Sequence, residues 1–513
     1  MSGLLALPVA APLAAAGLLV LLGPRSTGTS ALVRRAVALA VSGGVLVVAA
    51  ALLAASMGGS RPALRLGGWP PGIAITLVAD VLSALLLVVT ALLVTASLAF
   101  AAATGEDETA FFVPAVLVLS SGVYGALLTA DLFNLFVFIE VMLVPSYVLL
   151  TAGGGTGRLA AGRLYVTVNL LASTVFLGGV GLLYGVAGTV NLGQLAGAAA
   201  ASPAVALAGA VIMLAMAVKA AVVPLHSWLP GTYSAAGPAV TVLFSGLLTK
   251  VGVYALIRLY AVVYDGDRRW LWLIMTAALL TMVVGVLGAV GEKAMRPVLT
   301  FHMVSQIGYM LLGLALFTAA GLAAAIFFLV QYVLVKAALL MVAGAVEVGY
   351  GTGELARLGG LMRREPVLAV AFAVSALALV GIPPLSGFVA KLGLATAAVA
   401  QQQYLAAAAV AGVSLLTLTS MLKVWNAAFW QPGPDGDRPD RGRHDADPRV
   451  DPPHGSVTGV RARLRPALLA PALLLAGLSV VLGVWAEPLL AAAGAAADGL
   501  LDTGAYVTAV LGP

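Results

Sequence analysis

The chain has 513 residues, of which 61% are hydrophobic and only 9% are charged, and its mean hydropathy is +1.07. No soluble domain has this composition, and apolar stretches long enough to cross about 30 Å of hydrocarbon recur from one end to the other. The composition therefore predicts a polytopic membrane protein. The net charge of +6 has to be interpreted loop by loop, and it gives no indication of a nucleic-acid partner.

The chain contains no cysteine and only four histidines. The lack of cysteine excludes disulfides, thiolate-bound iron–sulfur clusters and cysteine nucleophiles. Because His444 and His454 share one polar loop, we also expect no haem, no metal centre and no other cofactor. The first basic residue, Arg25, follows the apolar residues 4–22, so we interpret these residues as a membrane span rather than a cleaved signal.

Apolar runs predict an all-α fold of about 14 transmembrane helices. In chain order these cover residues 3–22, 31–55, 73–102, 111–130, 132–152, 162–187, 203–224, 240–262, 270–291, 296–317, 320–346, 367–390, 403–430 and 464–486. Residues 431–465, which are rich in Pro, Gly, Asp and Arg, predict a disordered cytoplasmic loop. The apolar tail 491–513 is short and interrupted by glycine, and we expect an interfacial or partly packed helix there.

Basic residues are distributed unequally between the two sets of loops. If both chain ends lie outside, 17 Lys and Arg residues fall in inner loops and four fall in outer loops. Since basic loops stay in the cytoplasm, this bias predicts a multi-pass protein of the cell membrane with both termini on the outer face.

A weak internal repeat divides the chain into regions. The five spans of residues 111–262 and the five of residues 270–430 each contain a proline-broken fourth member, near Pro224 and near Pro383. An odd number of spans makes the two repeats inverted, and paired broken segments indicate a transport site. We therefore expect N-terminal helices in residues 1–110, a transport domain in 111–430, the loop 431–465, and a last span with a tail in 466–513.

Six basic residues fall inside spans or their breaks. A lysine at this depth costs roughly 2.5–3.5 kcal/mol on insertion scales, so these side chains must face a protein interior, and an ion-handling site is the default hypothesis. The six are Lys219, Lys250, Arg258, Lys336, Lys391 and Lys423.

Glu140 lies near the middle of the fifth span, and Lys219 precedes the first break. A buried carboxylate stays ionised when an amine is near, so we expect Glu140 and Lys219 to form a pair that loads and releases a proton. The alternatives are a helix-packing carboxyl and a lysine that extends to the membrane surface.

The next spans carry further candidates at helical spacing. Lys250, Tyr254 and Arg258 follow one helix face, with Arg258 expected to extend toward the outer surface. Lys336 lies mid-span one turn after Tyr332, and Lys391 follows the second break. Two polar stripes fit equally a water file or helix packing: Tyr165, Asn169 and Ser173, and then His302, Ser305, Gln306 and Tyr309.

Four residues remain as auxiliary candidates. His226 lies beyond the first break and is more often a hinge residue than a relay. Asp80, in the third predicted span, fits a capped network or the membrane interface. Lys423 shares a helix face with Ser420, and His302 begins the second polar stripe.

Several of these motifs together resemble a known family. They are TADLFNLFVFIEVMLVPSYVLL, the segment from Lys219 to Arg258, HMVSQIGYMLLG and GIPPLSGFVAK. They are similar to the antiporter-type proton-translocating subunits of respiratory NADH:quinone oxidoreductase and of multisubunit Mrp-type sodium/proton antiporters. The DLFN motif and the run GGWPPGIAITLVAD look most like the D-type branch of the Mrp antiporter subunits. The resemblance covers residues 70–430.

This resemblance implies a proton path through Glu140, Lys219, Lys250, Lys336 and Lys391. Many relatives have a histidine where this chain has Tyr332, one turn before the eleventh-span lysine. Because tyrosine has a pKa near 10, it is a poorer relay than histidine, so water or Lys336 itself would have to bridge this position.

The resemblance implies a proton-translocating subunit of a sodium/proton antiporter complex, with other membrane subunits, protons and probably sodium as partners. An alternative is a proton-pumping subunit of a quinone reductase or membrane hydrogenase that has no redox centre of its own. A third interpretation is an assembly scaffold with a vestigial channel. On the first interpretation the chain is a secondary transporter rather than an enzyme.

Overall fold

A computed structural model describes residues 2–21, 28–109, 111–433 and 464–512. Most of the predicted loop 431–465 lies outside the described residues, as do His444 and His454. The described helices are α1 (Leu7–Leu21), α2 (Gly28–Met57), α3 (Val81–Thr104), α4 (Phe112–Leu128), α5 (Leu132–Thr151), α6 (Thr156–Ala187), α7 (Ala198–Ala201), α8 (Pro203–Lys219), α9 (Trp228–Tyr233), α10 (Pro238–Gly246), α11 (Leu248–Val262), α12 (Leu271–Gly291), α13 (Met295–Leu316), α14 (Ala319–Tyr350), α15 (Leu361–Arg364), α16 (Pro366–Val380), α17 (Ser386–Ala400), α18 (Tyr404–Val424), α19 (Pro466–Val484), α20 (Glu487–Leu501) and α21 (Gly504–Leu511).

The all-α polytopic fold is confirmed. Within the described ranges, 11 helical segments are long and apolar enough to cross a membrane. Four further apolar helices, α4, α8, α16 and α17, are shorter. The number of 14 spans and the inverted relation of the two repeats stay predictions.

The third predicted span is wrong at its start. Residues 73–80 are not helical, because Thr76–Val78 (β2) pairs antiparallel with Ala63–Arg65 (β1) in a small hairpin. The helix α3 begins only after Asp80, whose side chain accepts a hydrogen bond from the Ser83 N–H (2.9 Å) in a capping box. This cap satisfies one of the unpaired N–H groups of the first turn and fixes where the helix begins.

Both predicted breaks are present. Helix α8 ends at Lys219, and residues 220–227 turn before α9 begins. Helix α16 ends at Val380, and Gly381 follows with φ of 92°, a left-handed conformation that glycine adopts without strain. Each break leaves carbonyl groups without helical partners, and these need other donors inside the protein.

Helix α14 forms the centre of the molecule. It contacts α3, α10, α13, α16, α17, α19 and α20, and the most apolar 18-residue stretch within it is buried throughout. The corresponding stretches of α10–α11 and α13 are also almost fully buried, whereas only 33% of the residues in those of α6 and α12 are buried. The ionisable residues on the central helices are therefore shielded from lipid by their neighbours.

The C-terminal tail forms two helices. Helix α20 packs against α14 and α3, so the tail is a packed element rather than an interfacial one. Helix α21 contacts β2, which also contacts the N-terminal turn Ser2–Ala6. Both chain ends thus meet the β-hairpin at one side of the molecule, which we call the hairpin face.

Candidate functional site

Glu140, Ser173 and Lys219 form the first cluster, which we call the glutamate group. The Ser173 hydroxyl donates to the Glu140 carboxylate, and the Lys219 ammonium donates to the Ser173 oxygen at 3.0 Å. The three side chains come from α5, α6 and the end of α8. A hydroxyl both donates and accepts, so Ser173 connects the acid to the amine.

The expected direct ion pair of Glu140 and Lys219 is not formed. Among the described residues no Lys or Arg nitrogen lies within 4.0 Å of the Glu140 carboxylate, because Ser173 occupies the space between acid and amine. Glu140 is half-buried, whereas Lys219 is 5% exposed. The acid therefore lies at the edge of the molecule and the amine lies inside it.

Lys219 is held at the break itself. It is the last residue of α8, and the Val218 carbonyl before it accepts hydrogen bonds from the Ala221 N–H and from the indole N–H of Trp228, both at 3.0 Å. An amine at a helix C-terminus also interacts favourably with the helix dipole. The broken segment thus positions Lys219 without occupying its nitrogen.

Lys250, Tyr332 and Lys336 form a second cluster, which we call the central group. The Lys250 nitrogen lies 4.6 Å from the centre of the Tyr332 ring, and the Lys336 nitrogen lies 5.9 Å from it. Aromatic faces attract ammonium groups at these distances. The ring of Tyr332 therefore contacts both lysines, in the position where many relatives are expected to have histidine.

The two lysines of the central group differ in their other partners. Lys250 donates to the Ser245 carbonyl at 2.5 Å and to the Thr249 hydroxyl at 3.1 Å. Lys336 is 0% exposed, and its nitrogen has no hydrogen-bond partner among the described residues. Lys336 is thus the member of the group whose nitrogen is free to take a new partner.

Lys391 is held at the second break. Its nitrogen donates to the carbonyls of Leu379 and Val380, both at 2.9 Å, and lies 4.7 Å from the centre of the Tyr309 ring. These carbonyls are the unpaired acceptors at the end of α16. Lys250 and Lys391 therefore have the same environment, namely carbonyls at a helix interruption and one aromatic ring.

An aromatic stack joins the central group to Lys391. The rings of Tyr309 and Phe328 stack with centroids 5.2 Å apart, and those of Phe328 and Tyr332 stack at 6.1 Å. No direct hydrogen bond links the glutamate group, the central group and Lys391 to one another in the described part of the chain. The five predicted path residues are thus placed in three clusters.

The second polar stripe divides between packing and the site. Ser305 donates to the Met282 carbonyl, which is a helix-packing contact. His302 is 0% exposed, shares a hydrogen bond of 2.6 Å with Ser420, and has its other ring nitrogen unpartnered. Both amide atoms of Gln306 are also buried without partners among the described residues. His302 and Gln306 therefore offer free hydrogen-bonding atoms inside the protein.

The first polar stripe is mostly structural. The Tyr165 hydroxyl pairs with Ser146 at 3.0 Å, and the Asn169 amide donates to the Tyr165 carbonyl at 2.9 Å. Only Ser173 belongs to the site. The sequence placed Ser173 in the first polar stripe, but nothing in the neighbouring residues indicated that it would connect Glu140 to Lys219.

Two auxiliary candidates have structural partners. Lys423 is partly buried and donates to the carbonyls of Val290 (2.7 Å) and Glu292 (2.6 Å), so it caps the end of α12. His226 is half-buried in the first break, and its Nδ1 atom is unpartnered among the described residues. In the described part of the chain neither side chain makes a hydrogen bond to the three clusters.

The expectation that Arg258 extends to the outer surface is wrong. Arg258 is 3% exposed and pairs with Asp80, which is 7% exposed, at 2.7 Å. The reason lies in the tertiary structure, because α3 brings a carboxylate to the end of α11. Asp80 is thus both the cap of α3 and the partner of Arg258.

A vestibule of about 580 Å³ opens on the side away from the hairpin face. Its lining includes Arg158, Arg296 and Arg357, and we call this side the basic face. Arg296 pairs with Glu347 (Nε to Oε1, 2.7 Å) and donates to the Thr241 hydroxyl at 3.4 Å. Thr241 lies on α10, one turn before Ser245, whose carbonyl binds Lys250. Helix α10 therefore connects the vestibule to the central group.

An acidic loop closes one edge of this region. The Glu106 carboxylate accepts a hydrogen bond from the Ala239 N–H (2.9 Å) at the start of α10, where burial raises its pKa. Asp107 pairs with Arg35. The loop between α3 and α4 thus ties α2 to the start of α10.

The described residues contain no group of three or more His, Cys, Asp or Glu side chains that could hold a metal ion. The chemistry of the three clusters is that of amines, a carboxylate, hydroxyls and carbonyls. Amines and carboxylates bind and release protons, and the hydroxyls and carbonyls hold them in place by hydrogen bonds.

Comparison with known proteins places the chain in a family. Residues 129–417 match the family model described as NADH:quinone oxidoreductase/Mrp antiporter, transmembrane. The chain is 38% identical to the D subunit of the Na(+)/H(+) antiporter of Alkalihalophilus pseudofirmus, over 87% of this chain and 88% of that relative. It is 34% identical to the protein of the same name from Bacillus subtilis, also over 87% and 88%.

Solved structures have the same fold. A chain of the Mrp complex from Dietzia sp. DQ12-45-1b matches with a TM-score of 0.92 and 46% identity, over 100% of both chains. A chain of respiratory complex I from Thermus thermophilus matches with a TM-score of 0.79 and 24% identity, over 97% of this chain and 99% of that one. At this lower identity the likeness concerns the fold alone.

Proposed function

Because the chain belongs to the NADH:quinone oxidoreductase/Mrp antiporter family, we propose that it is the proton-translocating subunit of a multisubunit sodium/proton antiporter of the cell membrane. The observation that carries the proposal is the row of buried lysines, each held at a helix interruption or beside an aromatic ring, together with Glu140. Buried amines are costly, and a membrane protein retains them where ions pass.

The glutamate group acts as the switch. A proton that reaches Glu140 removes the negative charge facing Ser173, and the serine hydroxyl then turns its hydrogen away from the acid. Hydrogen bonds to charged groups contribute about 1.5–3 kcal/mol, so this exchange changes the hold on Lys219 substantially. The state of Glu140 is thereby transmitted to the first lysine as a local electrostatic change.

The central group and Lys391 take the proton onward. Lys250 exchanges protons with the vestibule on the basic face along Ser245 and Thr241. Lys336, whose nitrogen has no hydrogen-bond partner among the described residues, passes protons toward Lys391 with His302 and Gln306 as auxiliary groups. Lys391 exchanges with one side of the membrane, and charge repulsion between neighbouring lysines drives the sequence.

The partners are other membrane subunits, protons and sodium. The matched Dietzia chain is part of an Mrp complex, and the half-buried position of Glu140 at the molecular edge fits a chain that works beside other subunits. A subunit of a quinone reductase or hydrogenase is the second candidate. The identity of 38% to an antiporter D subunit, against 24% to a complex I chain, favours the antiporter.

The test is sodium/proton exchange in everted membrane vesicles from cells that lack their own antiporters and express the complete complex. We expect Glu140→Ala to abolish exchange while the complex accumulates normally. Val144→Ala is the matched control, because Val144 is one turn along the same face and 57% exposed. Normal exchange by Glu140→Ala would remove this residue from the mechanism, and silent Lys219→Ala and Lys391→Ala variants would favour a scaffold.

A further inference from the structure

We propose that Asp80 and Arg258 form a proton gate at the hairpin face, covered by Tyr506 of α21, at the end of a second path that leads from Lys250. The inference rests on the proposed function, because it adds an outlet to the central group. It assigns a role to the C-terminal helix and to a buried ion pair that the three clusters do not use.

The path follows one face of α11. Lys250, Tyr254 and Arg258 are spaced by four residues each, so they lie one above the other over about 12 Å. The Tyr254 hydroxyl donates to the Leu127 carbonyl at 2.8 Å and lies 3.4 Å from the Arg258 Nε. Polar atoms thus continue from Tyr254 to the ion pair.

A small cavity adjoins the first step. Its volume is about 10 Å³, close to the smallest space that holds one water molecule. Lys250, Thr90 and Leu127 are among its lining residues. The cavity therefore lies between Lys250 and the residue whose carbonyl binds Tyr254. The other lining side chains are apolar, so the cavity has room for at most one water molecule beside Lys250 and Thr90.

The ion pair closes the path. Arg258 binds both Asp80 oxygens, at 2.8 and 2.7 Å, and one face of its guanidinium lies 4.7 Å from the Tyr506 ring centre. Tyr506 is only 4% exposed, so α21 separates the pair from the hairpin face. The Asp80 carboxylate offsets the charge of the guanidinium, so the closed state depends on the packing of Tyr506 over the pair rather than on charge repulsion.

The contacts of Asp80 and Arg258 also permit an open state in which the two side chains are separated. The Asp80 carboxylate also accepts from the Ser83 N–H at 2.9 Å, so it keeps a donor when Arg258 moves away. The Arg258 Nη1 atom is buried without a partner among the described residues, which leaves the guanidinium incompletely satisfied. A pair that only fastened two helices would be expected to satisfy all its donors, because unpaired buried donors are costly.

The first experiment measures passive proton leak in proteoliposomes that contain the complete complex, with a pH-sensitive dye inside and no sodium gradient. We expect Tyr506→Ala to raise the leak severalfold. Tyr506→Phe keeps the ring and should behave as wild type. Val510→Ala, a buried position one turn along α21, should not leak. Equal behaviour of Tyr506→Ala and Val510→Ala would overturn the gate.

The second experiment does not depend on a variant that removes the cover. The chain has no cysteine, so Thr90→Cys introduces its only thiol, at the cavity. Ag⁺ is added at the hairpin face, and the thiols that it has not blocked are then labelled. We expect Ag⁺ to block this thiol faster during sodium-driven turnover than at rest. Ser97→Cys, buried about two turns further along α3, is the control. If the Thr90→Cys thiol never reacts while exchange proceeds, the proposed outlet is wrong and the proposed function stands. If the wild type shows no exchange, the proposed function itself is wrong.

Discussion

A single hydroxyl, that of Ser173, connects the acid and the amine of the glutamate group. Ser173 is 4% exposed, and its hydroxyl is hydrogen-bonded to both Glu140 and Lys219. Without it, acid and amine would face each other across a space with no hydrogen-bonding atom. The pair can then neither share a proton nor respond to each other's charge in the same way.

We expect Ser173→Ala to lower the exchange rate by about tenfold or more, because hydrogen bonds to charged groups contribute about 1.5–3 kcal/mol. Initial rates of sodium-driven pH change in vesicles provide the measurement. Thr174→Ala is the matched control, since the neighbouring hydroxyl bonds only to the Leu170 carbonyl and is exposed. Full activity of Ser173→Ala would show that the contact is dispensable.

Tyr332 has two parts that could serve the central group, its ring and its hydroxyl. The ring contacts Lys250 and Lys336, and the hydroxyl is buried without a partner among the described residues. The distances favour the ring, which stabilises ammonium groups by about 0.5–2 kcal/mol.

Accordingly, Tyr332→Phe should retain most of the exchange activity, and Tyr332→Leu should lose about 2- to 30-fold, the factor that corresponds to this range of cation–π energies. Both variants need the same vesicle assay at equal complex content. Loss of activity in Tyr332→Phe would instead assign the relay to the hydroxyl.

At the scale of the element, helix interruptions provide the lysine sites. Lys391 donates to two carbonyls at the end of α16, and Lys250 donates to the Ser245 carbonyl near the junction of α10 and α11. In a continuous helix these acceptors would be occupied by backbone N–H groups. The breaks therefore supply the oxygen atoms that hold a buried ammonium group.

Gly381 makes the second break possible, and Gly381→Ala tests it. Its φ of 92° is unfavourable for other residues, and an added Cβ would lie 2.9 Å from the Lys391 Cδ. A left-handed residue costs about 1–2 kcal/mol, so we expect a lower thermal midpoint of the purified complex and reduced exchange. Gly412→Ala, an open position on α18, should leave both unchanged or slightly raise the midpoint. Equal behaviour of the two variants would contradict this account.

For the whole molecule, the two faces carry different chemistry. The basic face has the vestibule with Arg158, Arg296 and Arg357, and the hairpin face has both chain ends and the capped ion pair. Cytoplasmic loops are richer in Lys and Arg, so we expect the basic face to lie inside the cell.

Single cysteines in this cysteine-free chain can test the orientation. With an impermeant maleimide on intact cells, Ser60→Cys near the β-hairpin should be labelled, and Glu354→Cys at the vestibule should be labelled only after permeabilisation. Both positions are exposed. The reverse pattern would invert the topology and place the vestibule outside.

The membrane class, the helical fold, the two breaks and the identity of the buried lysines follow from the amino-acid sequence alone. These depend on local properties, since apolar length, proline positions and helical spacing are read along one segment. It misplaced the start of α3, because a short strand pairing competes there with a helical apolar pattern. It also misjudged Arg258, because nothing near Arg258 in the chain indicates Asp80.

Which of these groups contact one another depends on how the helices pack. Ser173 lies between Glu140 and Lys219, Tyr332 lies between two lysines, and Arg258 is buried against Asp80, 178 residues away in the chain. Such contacts join different helices, and their geometry follows from how the helices pack around α14. A helical sequence specifies which face a side chain occupies, whereas the packing of the neighbouring helices determines which side chain it meets.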